Sequence, residues 1–349
     1  MQTTYPHQYV ERETSRIVNE HLFGDRIIRY VYSSQRESTS TLFRMLTSAR
    51  ISRLLAYFNY DIPLGDAFTG GRSLLRKLGV DMSECLDSPE SLNTARKVFE
   101  RKIRYWENRP MPIEDNIIVS PADAKMIAGS FASDSLLFIK EKFFHFEELI
   151  GPDKTQWLDT FQHGDFAVFR LTPEKYHYNH APVSGRVLDI YGIDGRYHSC
   201  NPAAVVSLAT PFSKNKRVVT VLDTDTEGGT GIGKVAMIEI AALMIGDIVQ
   251  CYSHKKYDSP QMVQKGMMIQ KGQPKSLYRP GSSVDVLIFE KNRIQFSSDI
   301  LHNRTRRDIQ SRFSTHFTTP LVETEVAVRS EIASGICGEK EISTSGEKT

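Results

Sequence analysis

Cysteine is scarce and scattered: Cys85, Cys200, Cys251 and Cys337 are the chain's four, and no two of them have C-x-x-C spacing. That pattern speaks against a zinc ribbon, a dithiol redox centre and a disulfide framework, and it predicts free thiols in a reducing compartment. Long apolar runs are missing too. None approaches the roughly 20 residues that cross a bilayer, and the start, Met1 to Glu13, has neither the basic nor the apolar region of a signal peptide. A cytoplasmic protein, at most peripheral on a membrane surface, is expected. Charge of one sign is equally lacking: charged residues make up 25% of the chain and leave a net +2, so nothing calls for a nucleic-acid partner. No internal repeat is found. What remains is a chain of 349 residues, long enough to bury a substantial core without staples.

Residues 1 to about 110 carry apolar positions at helical spacing with few β-branched runs, which predicts helix. Leu42 to Leu46 and Ile51 to Phe58, interspersed with Arg44, Arg50 and Arg53, make a basic amphipathic stretch. Such a stretch suits either an anionic membrane surface or ordinary packing on a core. Helical spacing runs again through Ala95 to Lys102 and ends near Arg109-Pro110-Met111-Pro112, where the prolines block continuation. From Ile117 the texture changes to short β-type runs: Asn116–Val119, Asp165–Leu171, Gly185–Tyr191, Lys216–Leu222 and Val284–Phe289, with a helical insertion around Phe144–Ile150. Glycine breaks at Gly195 and Gly228-Gly229 punctuate them. The expected fold is α+β: a helical N-terminal region over 1–110, a mostly antiparallel β domain over 111–333, and a disordered tail over 334–349 that is nearly free of apolar residues.

Several stretches carry candidate chemistry. Gly228 to Lys234 has the G-x-x-x-x-G-K spacing of a phosphate loop, but Val235 stands where a Ser or Thr belongs, and Asp223, Asp225 and Glu227 would repel phosphate. A loop between strands is the better reading. His177 and His180 lie three residues apart near Pro182 and Gly185, without the carboxylate or third ligand that a metal site needs. Asp123 follows Ser120-Pro121-Ala122 at the start of the β region. Arg279-Pro280-Gly281-Ser282-Ser283 precedes a β-type run, and taken alone it is either a Pro-Gly turn with two surface serines or a hydroxyl beside an unshielded glycine carbonyl. Together these stretches supply an acid, a base and a serine hydroxyl, the parts of an activated nucleophile.

In order, Ser120-Pro121-Ala122-Asp123, then Tyr176-His177-Tyr178-Asn179-His180-Ala181-Pro182 through Gly185, then Gly281-Ser282-Ser283, resemble the Ser-Pro-x-Asp-Gly, Tyr-His-Arg-x-His-x-Pro-x-x-Gly and Gly-Ser-Thr motifs of the phosphatidylserine decarboxylases. Phe99-Glu100-Arg101-Lys102, Arg109-Pro110, Asn201-Pro202, Asn215-Lys216-Arg217-Val218 and Ala242 to Ile248 fall in the family's order, so the likeness covers roughly residues 95–320.

The resemblance implies a chain that cuts itself between Gly281 and Ser282, with Ser282 becoming a pyruvoyl cofactor. It implies that His180 deprotonates Ser282, that Asp123 orients and charge-stabilises His180, and that His177 returns a proton to the substrate's α-carbon. No metal is expected. This chain departs from the pattern at Ala124 for Gly, Tyr178 for Arg, Lys175 for an Asp and Ser283 for Thr, and Lys275 to Pro280 rewrites the common Gly-x-Phe approach to the cut. The processing residues survive these changes. The substrate is less constrained, because Lys175, Tyr178 and Arg279 bear on what the pocket accepts.

The expected activity is decarboxylation of phosphatidylserine to phosphatidylethanolamine. The alternatives are a soluble pyruvoyl-dependent decarboxylase of a free amino acid, and an uncleaved relative that only binds lipid or a partner. Expected partners are therefore phosphatidylserine or a free amino acid, a membrane surface met through residues 42–58, and further copies of the cleaved two-chain protomer.

Overall fold

The computed structural model describes residues 6–22, 25, 28, 75–76, 78–131, 143–242, 247–281 and 283–336. Its strands are β1 (Gln8–Glu11), β2 (Ile17–Asn19), β3 (Ile117–Val119), β4 (Ala124–Ser130), β5 (Asp165–Leu171), β6 (Tyr178–His180), β7 (Gly185–Ile193), β8 (Arg217–Asp223), β9 (Lys234–Ala241), β10 (Ile248–Gln250), β11 (Met268–Ile269), β12 (Pro274–Tyr278), β13 (Ser283–Phe289), β14 (Ile294–Phe296), β15 (Thr324–Val326) and β16 (Glu331–Gly335). Ten of them form one sheet in the order β11-β7-β8-β9-β13-β5-β4-β15-β1-β2, and two three-stranded sheets run β10-β12-β6 and β14-β16-β3. Every pairing between these strands is antiparallel except that of β1 with β15. The fold is α+β, as the sequence predicts.

β13 occupies the middle of the large sheet, paired with β9 on one side and β5 on the other over its whole length. Side chains alternate across a strand, and here both faces are buried. Leu287 and Phe289 pack with Val235, Met237, Ala167 and Phe169 on one face. Val284, Val286 and Ile288 pack with Ile238, Ile240, Phe166 and Val168 on the other. Double burial explains why β13 reads as a nearly unbroken apolar run rather than an alternating one. It also makes Asp285 and Glu239, directly opposed in register and both fully buried, conspicuous.

The two small sheets cover the first face, contributing Tyr278, Ile118, Ile294, Phe296 and Ile332 to its core. Short helices cover the second through Phe146, Leu149, Trp157, Phe161, Phe212, Phe313 and Phe317. Each such aromatic or aliphatic side chain contributes about 1.5–3 kcal/mol by leaving water.

The start of the chain differs from the helical expectation. Helices occur at Ala95–Phe99 and Tyr105–Asn108, but Gln8–Glu11 and Ile17–Asn19 are strands on the edge of the large sheet. The Tyr9-Val10 and Ile17-Val18 pairs favour an extended backbone, and Val10 is buried against Ile309 and Val322. A buried ion network ties this edge down: Arg170 donates to Glu20 and Glu323, and the His7 ring meets Glu323 at 2.8 Å. At the other end, β16 carries Ser334 and Gly335, which were expected to begin the tail. The amphipathic stretch 42–58, Cys337 and the rest of the expected tail from 337 lie outside the described residues, as does Ser282. Among the described residues, Cys85, Cys200 and Cys251 are not joined in disulfides. No described helix is long and apolar enough to cross a membrane. Residues 228–233 lie in the turn between β8 and β9, a loop between strands, and Lys234 opens β9 with its Nζ 3.3 Å from Glu290.

Candidate active site

β12 runs into the Gly281-Ser282 peptide and β13 leaves it. β6, which carries His180, lies beside β12 in antiparallel register, with Tyr178 opposite Leu277 and Asn179 opposite Ser276. One backbone hydrogen bond fixes the approach: Tyr278 N donates to His177 O at 3.0 Å, so His177 sits beside the residue three before Gly281. Gly281 is buried, with φ of 149°, a conformation that side chains strongly disfavour. Ser283, the first residue of β13, is buried, and its Oγ has no hydrogen-bond partner among the described residues.

His180 is fully buried. Its Nδ1 meets Gly272 O at 2.8 Å, its Nε2 meets Tyr176 Oη at 3.0 Å, and Tyr105 stands edge-on with ring centroids 4.7 Å apart. A carbonyl can only accept, so Nδ1 carries the proton and Nε2 takes the Tyr176 hydroxyl. Burial pushes the His180 pKa down to about 3; Arg329 and Arg109 add to the shift, while Gly272 and Asp123 oppose it. The backbone N of His180 also donates to Pro121 O at 2.7 Å, which locks β6 to the loop carrying Asp123.

Asp123 is held from two other directions. Arg109 grips it through Nε and Nη2, and Val328 N donates to Oδ1 at 2.7 Å. Burial pushes its carboxyl up, but the Arg109 guanidinium outweighs that and holds it below the usual carboxylate range. No hydrogen bond joins Asp123 to His180 in this conformation; the acid reaches the ring through its field.

His177 is also fully buried, 4.7 Å from the Phe99 ring between centroids, and neither ring nitrogen has a partner of hydrogen-bond geometry among the described residues. Burial first, then Arg101, pushes its pKa down to about 3, with the Lys175 backbone pulling weakly the other way. Both histidines are therefore neutral near pH 7, the form that accepts a proton.

The departures from the family motifs have their own places. Lys175 pairs with Glu325, Tyr178 stacks on Tyr176 with ring centroids 5.5 Å apart, and Arg279 is exposed with its N donating to Asp247 O at 3.1 Å.

One group beside the site is not anticipated by motif reading. Glu239 accepts from Lys275 Nζ at 2.9 Å, from Gln250 Nε2 at 2.8 Å and from the Ser276 hydroxyl, which in turn accepts from Asn179 Nδ2 at 3.0 Å. Asp285 lies next to Glu239 and meets Tyr278 Oη at 2.7 Å. Burial and the Glu239 charge push its carboxyl well above the ordinary range. The available signal was a charged residue inside each of two apolar strand runs, Met237–Ile240 and Val284–Phe289.

Comparison with known proteins bears on this arrangement. The family model described as phosphatidylserine decarboxylase matches residues 95–310. The phosphatidylserine decarboxylase proenzyme of Fusobacterium nucleatum is 28% identical over 308 residues, covering 87% of this chain and 94% of the relative. That of Clostridium tetani is 27% identical over 295 residues, covering 84% and 91%. Phosphatidylserine decarboxylase proenzyme 2 of Oryza sativa is 32% identical over 231 residues, 65% of this chain but 34% of that longer protein. The matched span holds Asp123, both histidines and the Gly281-Ser282 peptide, and the chain belongs to the phosphatidylserine decarboxylase family of carboxy-lyases.

Proposed function

We propose that this chain is a proenzyme that cuts itself between Gly281 and Ser282 and then decarboxylates phosphatidylserine to phosphatidylethanolamine. The observation that carries the reading is the 3.0 Å bond from Tyr278 N to His177 O, which sets the histidine strand beside the segment entering Gly281. In the first stage His180 Nε2 exchanges Tyr176 for the Ser282 hydroxyl and takes its proton. The Asp123 charge favours the imidazolium that results. Ser282 Oγ attacks the Gly281 carbonyl carbon, the peptide C–N bond breaks, and an ester replaces it. Elimination removes the Ser282 α-proton and expels the Gly281 carboxylate. The dehydroalanine left at 282 takes up water and loses ammonia to become the pyruvoyl group.

The residues suit such a group. Ser283 Oγ and both ring nitrogens of His177 are buried polar atoms without partners among the described residues, and buried polar atoms ordinarily have them. Ser283 and His177 would therefore hold it. When formed, the pyruvoyl group supplies an electron sink for loss of CO2 from an amine-bearing substrate. His177 is the residue placed to return a proton to the α-carbon; neutral at rest and shielded from water, it does so only after first taking that proton up itself.

Intact mass tests the reading. The expected result is one fragment ending at Gly281 and a second beginning with pyruvoyl at 282, whereas Ser282→Ala gives a single uncut chain. Cutting that persists in Ser282→Ala removes this nucleophile, and a chain that stays whole in active preparations removes the mechanism. CO2 release from phosphatidylserine vesicles, measured beside a panel of free amino acids, tests the substrate. Activity on the panel alone discards the lipid.

A further inference from the structure

Tyr278 and Asp285 stand on opposite sides of the proposed cut, in the strands that enter and leave it. The Tyr278 hydroxyl is 2.9 Å from Val284 O and 2.7 Å from Asp285 Oδ1, and Ile240 N donates to it at 3.0 Å. Ile240 and Val284 are register partners across β9 and β13, so the hydroxyl sits at the point where the central ladder meets the start of β13.

A hydroxyl has one proton and two lone pairs. It accepts from Ile240 N and donates its single proton to one of the two oxygens. A carbonyl cannot donate, so the arrangement that satisfies the hydroxyl and both oxygens facing it has Tyr278 donating to Val284 O and a protonated Asp285 donating to Tyr278 Oη, while the second carboxyl oxygen, Oδ2, has no partner among the described residues. The site is dry, with Tyr278, Val284 and Asp285 at most 1% exposed, so each of these bonds lacks competition from water. The departure at Tyr278 and the acid at 285 are thus one coupled feature, each group being the other's partner.

We propose that Tyr278 and Asp285 form a clasp across the scissile peptide, one that closes a ring from the fourth residue before the cut to the third and fourth after it and so sets the approach of Ser282 to the Gly281 carbonyl. The proposal rests on the self-cleavage reading above. Tyr278 and Asp285 are positioning residues: they act through the backbone on either side of Gly281, where φ is already 149°. Small displacements of a near-attack geometry slow a reaction steeply, about a hundredfold for 1 Å. After the cut the same clasp becomes a bond between two chains, holding the new ends beside each other.

The test follows the half-time of cutting by intact mass in freshly translated chain, well below the melting temperature of each variant. Wild type is compared with Tyr278→Phe, Asp285→Leu, Asp285→Asn and the double variant Tyr278→Phe/Asp285→Leu. Tyr278→Phe and Asp285→Leu are each expected to slow cutting at least tenfold. Asp285→Asn, whose amide donates as the protonated acid does, is expected to retain most of the rate, and the double variant to be no slower than the slower single. Cutting at the wild-type rate in folded Tyr278→Phe overturns the clasp, and so does Asp285→Asn cutting as slowly as Asp285→Leu. Should Tyr278→Phe not fold, the Asn and Leu pair at 285 reads the same bond from its other end. A wild-type chain that never cuts removes the self-cleavage reading itself, an outcome distinct from wild type and Tyr278→Phe cutting alike.

Discussion

Arg109 holds Asp123 with Nε 3.0 Å from Oδ1 and Nη2 2.9 Å from Oδ2, while its Nη1 and Nη2 hold Glu84 at 2.9 and 3.0 Å. The guanidinium therefore bridges two carboxylates, one from each side of the Arg109-Pro110 turn. Asp123 is fixed and ionised without needing His180; in the self-cleavage proposed above, its charge would favour the imidazolium formed when His180 takes a proton.

Removing that guanidinium strands a carboxylate that is 6% exposed. Breaking a buried pair by deleting one partner destabilises by about 3–5 kcal/mol, and Arg109→Leu is expected to fall in that range by urea unfolding at pH 7. Asp123 has its folded pKa below the unfolded value, so its stabilisation is present above the unfolded pKa and is lost as pH falls through the folded one. The gap between wild type and Arg109→Leu should accordingly narrow as pH drops through the carboxylate range. A gap that is constant with pH would show that the pair contributes through packing alone.

His177 and His180 give a second pH signature. Both are pushed down to about 3, mainly by burial, against about 6.5 in the unfolded chain. As pH falls below about 6.5 the unfolded chain takes up protons that the folded one refuses, so stability is lost in acid and is unchanged by these groups above that point. Each contributes a slope of up to about 1.4 kcal/mol per pH unit. The difference in unfolding free energy between wild type and His177→Gln, followed from pH 6.5 to 4.5, isolates one of them. It should close by about that slope; no change would mean that His177 is already charged or solvated in the fold.

How far the sequence reveals this molecule depends on which residues share a local pattern. The runs at Asp165–Leu171, Gly185–Ile193, Arg217–Asp223 and Ser283–Phe289 are long and rich in β-branched and aromatic residues, and each became a strand where its composition predicts one. Gln8–Glu11 and Ile17–Asn19 are too short for periodicity to show, and their strand conformation comes from pairing with each other and, for β1, with β15, more than 300 residues away in the chain. At the candidate site, Asp123, His177 and His180 stand out in the sequence because each sits in a compact motif. The partners that hold them were not, since Gly272, Val328 and Glu84 meet them only through the fold. The Glu239–Lys275 pair and the Tyr278–Asp285 clasp fall in the same class: separate polar departures in sequence, joined partners in space.

Asp285 carries the sharpest of these consequences. Burial and Glu239 push its folded pKa well above the unfolded value, which favours the protonated acid in the fold, while the unfolded chain ionises above about 3.9. Stability from such a group is fully present below the unfolded pKa and is lost as pH rises toward the folded one. Asp285→Asn keeps the shape and the donor but has no proton to lose. In the uncut Ser282→Ala background, the two chains should be about equally stable near pH 3.5. The Asn variant should gain progressively on the acid as pH rises toward 7, by at most about 1.4 kcal/mol per pH unit. Urea unfolding of both chains at pH 4, 5.5 and 7 measures the gain. A difference that does not grow with pH would mean that Asp285 is ionised in the folded protein. The Tyr278 proton would then lie toward its carboxylate rather than toward Val284, reversing the direction of the hydrogen bond in the clasp.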